Sequence, residues 1–128
     1  MSDEGLLRWQ WRLYPDNHRD PGNLAIHLAT WPLFVAGLVA ILAAAPTGAL
    51  WLLGAGPVAM VLAIALQGRG HRREAVRPQP FRGVGDVVKR ILAEQLVTFP
   101  RYVLSGVMRR QRQASASTAR GVEPGPPS

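Results

Sequence analysis

No Asp, Glu, Lys or Arg occurs in residues 21–68, although the chain carries 15 Lys and Arg and 8 Asp and Glu elsewhere. A soluble domain of 128 residues rarely holds so long a stretch without charge, because most of it would have to be buried at once. The window divides at Ala45-Pro46-Thr47-Gly48, where Pro and Gly stand close enough to signal a turn. Residues 24–45 and 49–66 remain on either side. A helix needs about 20 mostly apolar residues to cross roughly 30 Å of hydrocarbon. The first stretch is long enough and the second just so. We expect a membrane helical hairpin with a tight, uncharged turn on the far side. Gly37, Gly54, Gly56 and several Ala allow the helices to approach closely. Pro32 and Pro57 are tolerable kink positions where neighbours satisfy the freed carbonyls.

Charge outside the window sets orientation. Residues 69–82 hold five Arg and one Glu. By the positive-inside rule that side is cytoplasmic. Two spans return the N-terminus to the same side, so we expect an integral protein of a bacterial inner membrane with both termini cytoplasmic. The window is not a signal peptide, since a polar lead of 20 residues precedes it and a second span follows. The absence of Cys excludes disulfides, thiolate zinc sites, iron–sulfur clusters and thiol catalysis.

The flanks read as helical, making the whole chain all-α. Leu6, Leu7, Trp9, Trp11, Leu13 and Tyr14 predict a short helix of interfacial aromatics. Pro78, Pro80 and Gly83 predict an ordered loop. From Asp86, a plausible cap, Val87, Val88, Ile91, Leu92, Leu96, Phe99 and Val103 recur at helical spacing. Lys89, Arg90, Glu94 and Arg101 make this an amphipathic helix over about residues 86–106, lying on the membrane or the hairpin. Residues 1–108 form one membrane domain. Residues 109–128, rich in Ser, Pro and Gly, read as a disordered tail. The tail is basic but lacks a folded reader, so no nucleic-acid partner is expected and anionic lipid is the nearer match.

The three His are His18, His27 and His71. Asp20 fits an N-cap and Pro21 the first helical position. Asn23 and His27 then share one face of the first membrane helix. His18 precedes the cap, His71 follows the second span, and a hairpin returns both to one side. His27 lies only about 10 Å deeper, at 1.5 Å per residue. The three imidazoles can therefore converge, with Glu74 nearby. Neutral imidazole with carboxylate suits iron, zinc, copper or nickel, and two His with one carboxylate is a common non-haem Fe(II) set. The bland alternative makes these His interfacial or interhelical hydrogen-bonding groups.

The stretch Tyr14-Pro-Asp-Asn-His18-Arg-Asp-Pro-Gly-Asn23-Leu-Ala-Ile-His27, with Pro32 beyond it, resembles the first signature of the membrane family of the yeast 2-hydroxy fatty acid dioxygenase. Gly70-His71, Glu74 and Pro78 resemble the second. The bacterial members of that family are mostly a domain of unknown function. The likeness covers roughly residues 10–105. Glu74 follows His71 by three residues where the yeast-like branch has four, and Glu94-Gln95-Leu-Val-Thr-Phe-Pro100 looks like a bacterial branch. The resemblance implies an Fe(II)-dependent dioxygenase that shortens a 2-hydroxy fatty acid, or a related membrane lipid, by one carbon with O2. Carried over, His18, His27 and His71 would be ligands, with Asn23 a ligand or an orienting residue. Glu74 is the first candidate carboxylate and Glu94 the reserve. Arg19, Arg72 and Arg73 are candidates to pair with a substrate carboxylate, although juxtamembrane Arg usually snorkels.

Two other readings compete. The chain could be a non-enzymatic membrane adaptor or subunit with structural histidines, and it could form homo-oligomers. Haem ligation by two His across the hairpin is disfavoured because His27 lies deeper than His71.

Overall fold

The protein's structure is a computed structural model that describes residues 4–121, apart from the side chains of residues 115 and 119. It is all-α, with no strand among the described residues. Helix α1 spans Leu6–Asn17, α2 Pro21–Thr47 and α3 Leu52–His71. Helix α4 spans Val84–Ala93 and runs through a π-helical turn, Glu94–Thr98, into α5, Phe99–Leu104. Helix α6, Val107–Arg120, follows.

Helices α2 and α3 form the hairpin and have 27 and 20 residues. At 1.5 Å per residue they are about 40 and 30 Å long, enough to cross a membrane. Only 22 % and 17 % of their apolar windows is buried inside the chain, so most of that surface faces outward. Asp20 caps α2 by accepting from Asn23 N–H at 2.9 Å, with Pro21 at the first position. At the far end the chain turns at residues 48–51, slightly later than Pro46 signals. Pro46 stays in the last turn of α2, and Gly48, at φ 69°, supplies the left-handed C-cap. Pro32 and Pro57 lie inside continuous helices. A Cβ on Gly37 or Gly56 would stand 2.6 Å from the other's carbonyl oxygen. These two glycines set the helix separation. Gly54 faces open space and plays no part in it.

The segment from α4 to α5 is one bent amphipathic element. Pro100 has no N–H to give the preceding turn. The turn widens, so that Phe99 N–H reaches back to Glu94 C=O. Gln95 C=O is thereby left without its helical donor, and the Trp31 indole N–H fills the place at 2.7 Å. Gln10 of α1 bonds Arg90 C=O at 2.8 Å and accepts from Thr98 at 2.8 Å. Gln67 and Gln95 exchange amide hydrogen bonds at 3.4 and 2.6 Å. Side-chain amides and the Trp31 indole thus pin the bent element to α1, α2 and α3. Tyr14, Leu24, Phe99 and Tyr102 form the apolar core beside this network, with Trp11 and Trp31 packed on it. The N-terminal aromatics therefore include core residues as well as interfacial ones.

Two local expectations change. Gly83, not Asp86, precedes α4, and Asp86 reaches back from the first turn to Arg82 N–H at 3.1 Å. The tail expected to be disordered from Arg109 is helical as far as Arg120. Its anchor is Gln111, which donates to Pro15 C=O at 2.8 Å and accepts from the Tyr102 hydroxyl. A single half-buried polar side chain is invisible to a composition argument. The part of the tail beyond residue 121 lies outside the described residues.

Candidate metal centre

His18, His27, His71 and Glu94 offer one ligand atom each, all within 4.8 Å of one another. The three ring centroids lie 4.7 to 4.9 Å apart and meet edge to face. His18 ends α1, His27 sits in the second turn of α2, His71 is the last residue of α3, and Glu94 opens the π-helical turn. The capped start of α2 and the close pass of α3 at Gly70 bring these elements together. No side chain larger than hydrogen fits at Gly70, because its Cβ would strike Asn23 Oδ1.

Backbone carbonyls fix two tautomers. His18 Nδ1 bonds Tyr14 C=O at 2.9 Å, and His27 Nδ1 bonds Asn23 C=O at 3.0 Å. A carbonyl only accepts, so both Nδ1 atoms carry the proton and both Nε2 atoms hold a lone pair. Those Nε2 atoms stand 3.4 Å apart and 3.7 and 3.6 Å from Glu94 Oε1. Lone pairs facing a carboxylate repel unless a cation lies between them. Four tetrahedral ligands about 2.1 Å from a metal are about 3.4 Å from each other. The buried His71 Nδ1 has no hydrogen-bond partner. The donor set, the 3.4 to 3.7 Å spacing among His18, His27 and Glu94, and this orphaned nitrogen fit a first-row divalent metal.

The electrostatics agree with that reading. Burial, reinforced by His27, holds the His18 imidazole far below its ordinary value, at about 3, against a weaker pull from Glu94. His18 is neutral near pH 7, as a ligand must be. In the metal-free cluster burial works against ionisation of Glu94, but pairing with His27 and the fields of the imidazoles in their charged form outweigh it and hold the carboxyl at about 2, so the carboxylate relies on positive charge at this spot, which a bound cation would supply. Tyr14 donates to Glu94 Oε1 at 3.2 Å, and its ring stacks on His18 at 3.8 Å. Burial first, and Glu94 second, raise the Tyr14 phenol well above its ordinary value, so it remains a donor.

The other sequence candidates lie around this group. Glu74 is buried outside it, and its carboxylate accepts from Arg19 N–H, Asp20 N–H and Asn23 Nδ2 at 2.7 to 3.1 Å. It locks the corner between α1 and α2, and Glu94 supplies the carboxylate of the cluster. Asn23 orients His27 through its own carbonyl and is held by Glu74 and Asn17 C=O. Arg19 pairs with Asp16, Arg73 pairs with Asp20 across Gly22, and Arg72 is exposed.

A cavity of about 240 Å³ adjoins the cluster, with Tyr14, His18, His71 and Glu94 on its wall. Of the Arg residues only Arg90 lines it; Arg19, Arg72 and Arg73 do not. Sequence reasoning passed over Tyr14, Gln10, Gln67 and Arg90. Gln67 carried a usable signal, since a carboxamide inside an uncharged apolar run needs a buried partner. Comparison of the chain with protein-family models, curated proteins and solved structures gives no match.

Proposed function

We propose that the chain is a membrane-embedded non-haem iron dioxygenase acting on a 2-hydroxy fatty acid or a related lipid. The convergence of His18, His27, His71 and Glu94 beside a cavity carries the reading. The likeness to the 2-hydroxy fatty acid dioxygenase family falls on the same three His and supplies the reaction. Helices α2 and α3 cross the membrane with both termini cytoplasmic, in keeping with their length and with the Arg-rich segment after them. The centre then sits near the cytoplasmic interface, within reach of a lipid head.

Iron(II) held by these four residues would supply O2 activation and an electrophilic seat for one oxygen of the substrate head. The protein's own groups prepare that seat. Tyr14 and Asn23 carbonyls aim the two Nε2 lone pairs. The Tyr14 hydroxyl fixes Glu94. The π-helical turn sets Glu94 facing α2 and α3, and the Gln67–Gln95 pair holds that turn in place.

The test uses purified full-length protein in detergent, loaded with Fe(II) without oxygen. One equivalent of iron should be retained, and 2-hydroxyhexadecanoic acid should drive O2 uptake, one O2 per substrate, with release of CO2, water and an acid one carbon shorter. His27→Ala should lose both. Iron retention with no O2 uptake on any 2-hydroxy acid would reject the reaction. Failure to bind any divalent metal would reject the centre itself.

A further inference from the structure

The cavity beside the cluster has apolar walls from four parts of the chain: Trp9 and Leu13 of α1, Ile64 of α3, Phe81 of the segment before α4, and Ile91 of α4. Gly68 also lines it, one turn before His71. Ile64, Gly68 and His71 share one face of α3 at helical spacing. Gly37, Gly56 and Gly70 are explained by close helix approach, because a Cβ on any of them would strike α2 or α3. Gly68 is different. A Cβ there meets nothing within 4 Å. Glycine weakens a helix relative to alanine, and packing does not call for it at this position. What it leaves is room beside His71.

Charge and size narrow the occupant. Arg90 is the one cation on the cavity wall. Its guanidinium is held by Gln79 and Pro80 carbonyls and lies 4.9 and 4.4 Å from the Trp9 and Phe81 ring centres. Asp86 neutralises it only in part, at 3.4 Å. Glu94 stands on the same wall, so it is the metal-loaded site, where a divalent cation and Arg90 together outweigh Glu94 and Asp86, that favours an anionic head with an apolar body. At about 240 Å³ it falls below the roughly 300–1,000 Å³ of ordinary ligand clefts. It has room for one alkyl chain and not for the paired chains of a phospholipid.

We propose that this cavity seats the single alkyl chain of a carboxylate-headed amphiphile, and that Gly68 determines how much of that chain fits beside the metal centre. The inference rests on the reading of the cluster as a metal centre and adds where the substrate lies.

The probe is 2-hydroxyhexadecanoic acid bearing a mid-chain diazirine, photolysed with the iron-loaded full-length protein in detergent. The comparison set is wild type, Gly68→Ala and Gly68→Leu, with iron content measured in each. Wild type should be labelled on the peptides carrying Trp9, Leu13 or Ile91. Gly68→Leu should keep its iron and lose labelling there by about tenfold or more, the scale of discrimination that one apolar contact gives. Gly68→Ala should fall between the two. Equal labelling in Gly68→Leu with iron retained overturns the proposal. If Gly68→Leu loses iron, Gly68→Ala decides, and unchanged labelling in it is the overturning result. Equal labelling of the same peptides by a diazirine phosphatidic acid overturns the single-chain occupant. Gly68-dependent labelling without O2 uptake would sink the dioxygenase reading and leave the cavity assignment standing. O2 uptake unaffected by Gly68→Leu would do the reverse.

Discussion

His18 Nε2 faces His27 Nε2 at 3.4 Å, and the other nitrogen of each ring bonds the carbonyl four residues earlier. One helical spacing is thus used twice. The end of α1 and the start of α2 each turn an imidazole so that its free lone pair points at the other. The pincer is built from backbone, so it is preformed before any metal arrives.

Metal retention should therefore depend on four side chains and not on the neighbouring acid. His18→Ala, His27→Ala, His71→Ala and Glu94→Ala should each reduce bound metal to background while the protein still inserts. Tyr14→Phe keeps the stacked ring but removes the Glu94 donor. It should weaken metal affinity by about 10–100-fold, the usual effect of losing a partner behind a ligand. Glu74→Gln should keep its metal. Elemental analysis of the purified variants checks all six, and metal surviving any single His substitution counts against the centre.

Glu74 matters for stability instead. Its carboxylate serves two backbone N–H groups and the Asn23 amide in a buried corner. Glu74→Ala leaves those donors unpaired, at a cost of about 1–3 kcal/mol for a buried orphan. The variant should melt earlier in detergent. An unchanged melting temperature would show that water replaces the carboxylate.

Acid should loosen the metal-free protein. His18 is held at about 3 against an ordinary 6.5. Between those values the unfolded chain binds the proton and the folded chain does not, so stability falls as pH drops below 6.5. Glu94, at about 2 against an ordinary 4.5, adds loss of the same sign below 4.5. The slope is at most about 1.4 kcal/mol per pH unit for one proton. His71, also held below its ordinary value by burial and by His27, adds loss of the same sign, so melting temperatures of apo protein at pH 7.5, 6 and 5 should decline, and His18→Gln should lessen the decline above pH 4.5 without abolishing it. A flat wild-type profile contradicts a buried neutral His18.

Much of this was legible in the sequence because two signals are strong. The absence of charge over residues 21–68 fixes the long helices, and Asp20-Pro21 fixes where the first begins. Hairpin connectivity then brings His18, His27 and His71 to one end. The carboxylate was harder. Glu74 is closer to His71 in sequence, but three N–H donors claim it. Glu94 reaches the site only because Pro100 forces a wide turn, a register change that helical periodicity cannot reveal. The docking of α6 was hidden for a similar reason. It depends on Gln111 meeting Tyr102, nine residues away, and Pro15, 96 residues away, which no local pattern reveals.

The proposed topology has a direct readout. A reporter inserted after Thr47 should respond as non-cytoplasmic, and one fused after Arg120 as cytoplasmic. Both reporters on one side would mean that α2 and α3 do not cross as a pair.

The hairpin should distinguish its glycines sharply. Gly56 meets Gly37 C=O at 2.6 Å and Ile41 at the same distance from any added Cβ, whereas Gly54, half a turn away, meets nothing within 4 Å. The obstacle at Gly56 is backbone, which cannot rotate aside. Gly56→Leu must push α3 away from α2, and overpacking of this kind costs about 1–3 kcal/mol or more. In the proposed membrane setting close packing is the chief attraction between the two helices, so little else compensates. The separation would propagate to Gly70 and His71 at the other end of α3, reducing metal affinity from a site with no metal contact. Gly54→Leu adds the same side chain facing outward and should change neither melting nor metal content. Measuring both in parallel separates helix approach from a general intolerance of bulk, and equal behaviour of the two variants would contradict the close contact of α2 and α3.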